Sequence, residues 1–204
     1  MLPRLSTETM TVPALERLYA EVSLRSAFIP ETISAARQLD PDHIWRALWL
    51  LRRRAREHPL APETLRPLCD EADGLTHWVA RLMLGQLLSV VGCPAASAEV
   101  VFPVLCEWTK DRNAFVRAWA LTALARFSTN PDYRREVSTI LRHARRDPSK
   151  AVQARLRAIA AQQAKTRLLK ASPARAGRSL RDGVPRPPAN SGKEKARRCV
   201  GLGH

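Results

Sequence analysis

Apolar residues along the first four-fifths of the chain recur at helical spacing. Leu15, Leu18, Tyr19 and Val22 stand at i, i+3, i+4 and i+7, one face of a helix that Pro13 can open. A short helix is expected over residues 30–39, and Asp40-Pro41, an N-cap joined to a first-turn proline, predicts another from 40 to about 58. The alternation continues with helices over 62–72, 76–91, 95–109, 113–128, 131–145 and 148–164. Loops carrying Pro59, Gly74, Gly92-Cys93-Pro94 and Asn130-Pro131 punctuate them. No segment shows the period-two alternation of a strand, so the fold class is all-α.

Some of these helices are apolar on two faces. In 113–128, Val116, Ala120, Leu124 and Phe127 make one stripe, and Phe115, Trp119 and Ala123 make a second. A helix sandwiched between neighbours on both sides needs both stripes. Trp45, Trp49, Trp78, Trp108 and Trp119 all fall at or near apolar helical positions, and most of them are expected in the core.

An aspartate followed five residues later by an apolar residue, and nine later by a small or apolar one, recurs four times. The sets are Asp40 with Trp45 and Trp49, Asp73 with Trp78 and Leu82, Asp111 with Val116 and Ala120, and Asp147 with Val152 and Leu156. Successive aspartates are separated by 33, 38 and 36 residues, the range of a helix-turn-helix unit repeated into a solenoid. The run Asp111-Arg112-Asn113-Ala114-Phe115-Val116-Arg117 resembles the turn and second helix of a HEAT repeat. In that family a turn aspartate is followed five positions on by an apolar residue and six on by an arginine, which bonds back to the turn and joins successive repeats in a polar ladder. Asp111 with Arg117 and Asp40 with Arg46 match; Val79 and Gln153 stand where the arginine would be, which argues against a continuous ladder. The resemblance implies an α-solenoid of about four HEAT-like helical pairs over 40–164, with 1–39 as an N-terminal capping pair that covers an otherwise exposed apolar end.

Charge divides the chain differently. The formal net charge is +15, and residues 165–204 hold eleven Lys or Arg against Asp182 and Glu194. That segment, with Pro173, Pro185, Pro187 and Pro188 and few large apolar residues, reads as a disordered basic tail able to attract polyanions without sequence preference. Within 40–164, Arg52, Arg53, Arg54 and Arg56 and again Arg142, Arg145 and Arg146 crowd helix C-termini, where the helix dipole favours cations. The second helices of a HEAT-like array line its concave side, and there Arg46, Arg53, Arg81, Arg117, Arg126 and Arg157 are the candidate partner-binding residues, facing an acidic partner.

A second resemblance touches Trp108 and Asp111 with the helix opening that follows them: the segment is similar to part of the HEAT-like DNA alkylation repair glycosylases. Those enzymes hold a cationic lesion against aromatic faces beside a carboxylate, so the resemblance implies Trp108 and Asp111 as an alternative lesion site. The chemistry is coherent, because aromatic faces attract cations and a carboxylate stabilises developing positive charge.

Catalytic and metal-binding patterns are otherwise missing from the sequence. His43, His58, His77, His143 and His204 are isolated, and Cys69, Cys93, Cys106 and Cys199 have no zinc-ligand spacing. The cysteines read as reduced structural thiols of a cytoplasmic protein. No catalytic residue, metal or cofactor is expected, nor any membrane span, since the longest apolar stretch, 82–93, is too short. The sequence therefore predicts a non-enzymatic scaffold that binds a protein partner through its second-helix face, with nucleic-acid binding by the tail and the concave arginines as the alternative.

Overall fold

A computed structural model describes residues 2–6 and 10–171. Among them every regular element is helical: α1 (Leu2–Leu5), α2 (Val12–Val22), α3 (Phe28–Gln38), α4 (Ile44–Glu57), α5 (Arg66–Cys69), α6 (Trp78–Val91), α7 (Ala98–Trp108), α8 (Ala114–Leu124), α9 (Pro131–Ala144) and α10 (Lys150–Ala171), with short 3₁₀ turns between several of them. The chain divides into a unit over Met1–Ala164 and a second over Lys165–His204. Of the second unit only 165–171 are described, as the last turns of α10.

The predicted face of α2 is inward: Leu15, Leu18, Tyr19 and Val22 are all buried. In the first unit α4, α6 and α8 pack in series, and Gly85 marks how closely α6 and α8 approach. A Cβ added there would stand 3.4 Å from Cβ of Trp119. The main core runs from Leu5 through Leu50, Leu84 and Leu105 to Leu124. A separate cluster of Ala118, Leu121, Val152 and Ile159 seals α8 to α10. Each of the buried leucines removes apolar surface worth about 1.5–3 kcal/mol from water.

Four boundaries differ from the sequence pattern, each for a local reason. Asp40 does not cap α4; residues 40–43 form a turn in which the His43 and Ile44 amides donate to the Asp40 carbonyl, and the helix starts at Ile44. The helix expected over 62–72 is broken into a 3₁₀ turn at Pro62–Leu65, the single turn α5 and a further 3₁₀ turn at Ala72–Gly74. Pro67 lacks the amide that would continue the ladder. At the end of α8 the chain tightens into a 3₁₀ segment, Ala125–Thr129, before Asn130 caps α9 through the Asp132 amide at 3.0 Å. The basic tail expected to be disordered from 165 is instead helical as far as Ala171, although Leu168 and Leu169 are exposed there. Ala, Gln, Lys, Arg and Leu sustain a helix by intrinsic preference without burial. The rest of the expected tail, from 172, lies outside the described residues. α6 stops at Gly92, whose φ of 100° is open to glycine and strained for other residues.

The second stripe of α8 is also different from the expectation. Val116, Ala120, Leu124 and Phe127 are buried as predicted and Ala123 joins them, but Phe115 is 57% exposed. Ala118 and Leu121 provide the contact with α10 instead. Of the tryptophans, Trp49 and Trp108 are core, Trp45 and Trp119 are partly buried, and Trp78 is exposed.

Candidate interaction surface

The turns preceding α8 and α10 are built the same way. Oδ1 of Asp111 accepts from the Asn113 amide at 2.7 Å, and the Asn113 side chain in turn accepts from the Phe115 amide at 2.9 Å. Oδ1 of Asp147 accepts from the Ser149 amide at 2.8 Å, and the Ser149 hydroxyl oxygen accepts from the Ala151 amide at 3.2 Å. Each pair satisfies amides that the first turn of the following helix leaves without partners.

The second carboxylate oxygen of each aspartate faces the preceding unit. Arg81 donates from Nη1 to Oδ2 of Asp111 at 2.9 Å and from Nε to the Leu75 carbonyl at 2.7 Å. Arg117 repeats this one unit later, with Nε and Nη2 on Asp147 at 2.7 and 3.1 Å and Nη1 on the Asp111 carbonyl at 2.9 Å. Gln153 closes the series, donating from Nε2 to the carbonyls of Asp147 and Arg145 at 2.8 and 3.0 Å. A polar ladder thus joins three successive turns. It passes through Gln153, where the sequence pattern predicts an interruption, and it bypasses Val79 because Arg81 is the ladder residue of its unit. Residues 81, 117 and 153 are each 36 apart, so Leu75, not Asp73, occupies the turn position before α6. Asp73 bonds only locally, to the Gly74 amide. Hydrogen bonding to Arg117 holds the Asp147 carboxyl below the usual carboxylate range and raises Arg117 in turn.

These contacts determine what each candidate arginine can do. Arg46 is 5% exposed, and its Nη1 donates to the Leu5 carbonyl at 2.7 Å, which ties α4 to α1 and removes it from any partner-facing set. Arg53 is held by Glu16 at 3.3 Å and Glu57 at 2.5 Å and lies over the Tyr19 ring. Tyr19 also donates to Glu57, and burial first, then that bond, pushes its hydroxyl up to about 12. Arg81 and Arg117 serve the ladder. Arg126 and Arg157, the last two of the six, are exposed. The alternative lesion residues are likewise occupied: Trp108 is buried in the core, and both oxygens of Asp111 are taken by Arg81 and Asn113. Neither presents a free surface to a ligand.

A different set of arginines stands out. Arg52 and Arg56 lie one turn apart on α4, and Arg155 of α10 stacks on Trp119 of α8, its guanidinium carbon 3.4 Å from the ring centroid. Burial, then the charges of Arg56 and Arg53, press Arg52 below its ordinary value; burial and the charge of Arg56 do the same to Arg155. Nε of Arg52 and Nη1 of Arg54 are buried without a hydrogen-bond partner. Helix-dipole attraction accounts for the position of Arg52 and Arg56 but not for the stacking of Arg155 on Trp119. The signal for it is the register: Trp119 and Arg155 are 36 residues apart and so occupy the same place in adjacent units.

Among the described residues no group of His, Cys, Asp or Glu is placed to hold a metal, and no helix is long and apolar enough to cross a membrane. Cys69 is buried and Cys93 and Cys106 are half-buried, all as free thiols, with burial pushing Cys106 up to about 11. Compared with protein-family models, with curated proteins and with solved structures, the chain matches none.

Proposed function

We propose that the chain is a HEAT-like solenoid that works in the cytoplasm as a non-enzymatic scaffold, binding a protein partner through the face of its second helices, α4, α6, α8 and α10. The observation that carries this reading is the division among arginines. Those at the turn edge are consumed by the ladder, whereas Arg52, Arg56, Arg126, Arg155 and Arg157 have no carboxylate hydrogen-bonded to them among the described residues. A regular series of helices joined by a polar ladder gives a rigid base on which such a face can be displayed. The occupied state of Trp108 and Asp111 gives no support to the glycosylase alternative, and nucleic-acid binding then rests on the charge of 165–204.

Cross-linking mass spectrometry on the full chain tests this. The expected result is a partner protein cross-linked to α8 and α10 and lost from a variant carrying Arg126→Glu and Arg157→Glu. Cross-links that persist in that variant and map outside the second helices would overturn it. Salt-sensitive duplex binding that is abolished by deleting 166–204 would favour the nucleic-acid alternative.

A further inference from the structure

We propose that the edge formed by the turns before α6, α8 and α10 is a second docking surface, for an extended peptide with bulky apolar residues at one end and acidic residues at the other. This surface is separate from the second-helix face of the scaffold reading and stands or falls independently of it. The ladder itself lays the three turns side by side. Arg81 holds the Leu75 carbonyl at 2.7 Å and the Asp111 carboxylate at 2.9 Å. Arg117 holds the Asp111 and Arg112 carbonyls at 2.9 and 3.1 Å and the Asp147 carboxylate at 2.7 Å. Gln153 takes the Arg145 carbonyl of the last turn at 3.0 Å. Side chains that leave these turns toward solvent therefore share one edge.

Two of them are aromatic. Trp78, the first residue of α6, is 44% exposed, and Phe115, the second residue of α8, is 57% exposed. The Arg81–Asp111 bond joins the two helix starts, and packed helices lie about 8–10 Å apart from axis to axis. Single exposed apolar residues are ordinary on a protein surface, whereas two aromatic rings at the starts of adjacent helices make a patch that a partner can cover.

Charge is polarised along the same edge. On the side of α8 and α10, Arg112, Arg145, Arg146 and Lys150 are exposed, and none has a carboxylate bonded to it among the described residues. The ladder occupies Arg81 and Arg117 together with Asp111 and Asp147, and so leaves the cations of the turns themselves without counter-ions. Before α6 the sign reverses: Asp73 is exposed and bonds only the Gly74 amide. This polarity selects the ligand. A nucleic-acid backbone, negative at every nucleotide, would be attracted near α10 and repelled at Asp73. A peptide can set apolar side chains on Trp78 and Phe115 and confine its carboxylates to the arginines, which grip them through paired N–H donors.

The test is fluorescence anisotropy of the full chain with a labelled decapeptide carrying leucine and phenylalanine in its first half and glutamate in its second. About 150 mM salt screens diffuse attraction. Phe115→Ser and Arg146→Glu are each expected to weaken binding by about tenfold, the scale of losing an aromatic anchor or a close charge partner. The double variant Arg126→Glu, Arg157→Glu on the second-helix face should leave it unchanged. All four side chains are exposed and lie outside the ladder, and circular dichroism confirms that each variant retains its helix content. The basic tail is common to every variant, so the differences between them carry the result. Equal binding by all variants would overturn the surface, as would loss of the peptide from the second-helix variant alone. A single-stranded oligonucleotide weakened more than the peptide by Phe115→Ser would assign the edge to nucleic acid instead. Dimerisation seen by sedimentation and abolished by Phe115→Ser would assign it to a second copy of this chain.

Discussion

Two groups of arginines, carried by the same series of helices, meet opposite fates. Arg81 and Arg117 stand at the turn edge, where each finds a carboxylate thirty residues further along, on Asp111 and Asp147. Arg52 and Arg56 stand deeper along α4 and Arg155 lies on Trp119, and none of the three has a carboxylate hydrogen-bonded to it among the described residues. What separates the two groups is the repeat period: an arginine six residues into one unit reaches the turn of the next, and only a turn with an aspartate there answers it. The first group holds the fold together. The second adds like charge that folding alone does not require, and this is why it is the better candidate for recognition.

Breaking the ladder should therefore have the largest effect. Arg117→Met removes donors to Asp147, Asp111 and Arg112 and leaves a half-buried carboxylate without its cation. A loss of about 2–3 kcal/mol is expected, below the value for a fully buried pair because some water reaches this one. Arg81→Met removes one carboxylate bond and one carbonyl bond and should lower stability by about 1–2 kcal/mol. Urea denaturation with an unchanged slope would check both. Losses under about 0.5 kcal/mol in both would mean that the ladder contributes little and the comparison fails.

Asp147→Asn sharpens the same comparison through pH. The wild-type carboxyl is depressed by Arg117, so its contribution is fully present above the unfolded pKa of about 3.9 and is lost as pH falls through the lower folded value. The variant should be about 1 kcal/mol less stable at neutral pH, since Asn still accepts from the Ser149 amide. The gap between the two proteins should hold from about pH 8 to about pH 5 and close below about pH 4. A gap that persists undiminished at about pH 2.5 would show that charge is not what Asp147 contributes.

Much of this arrangement is legible in the sequence, and the places where it is not are instructive. The helical period places Leu15, Leu18, Tyr19 and Val22 inward correctly because a one-sided stripe has one solution. Counting aspartates leads to Asp73, short of the true turn position at Leu75, because the eye follows the acidic residue while the structure follows the arginine. Arg46, Arg81, Arg117 and Gln153 keep a steadier spacing than the four aspartates do. Gln153 lacks the charge that the repeat pattern asks for, yet its amide supplies the carbonyl contacts of its own turn, and among the described residues no later turn offers an aspartate to a cation there. Periodicity puts Phe115 in a second apolar stripe, but an apolar residue beside an N-cap can face either the next helix or water, and this one faces water. The stacking of Arg155 on Trp119 is the least visible feature, since it depends on how α10 packs against α8.

The smallest effect is expected where the second group is relaxed. Arg56→Gln removes an i, i+4 like-charge contact with Arg52, which should favour the folded state by about 0.2–0.5 kcal/mol. It also removes a cation from the last turn of α4, which should disfavour it by a few tenths to about 1 kcal/mol. The two nearly cancel, and a net change within about 0.5 kcal/mol is expected, against the roughly 2–3 kcal/mol estimated for Arg117→Met. Added salt should shift the balance slightly toward the wild type, because screening weakens the repulsion between exposed Arg56 and its neighbours. If Arg56→Gln instead destabilised the protein as much as the ladder variants do, Arg56 would belong to the framework. The distinction between arginines that build the fold and arginines that face a partner would then have to be redrawn around Arg155 alone.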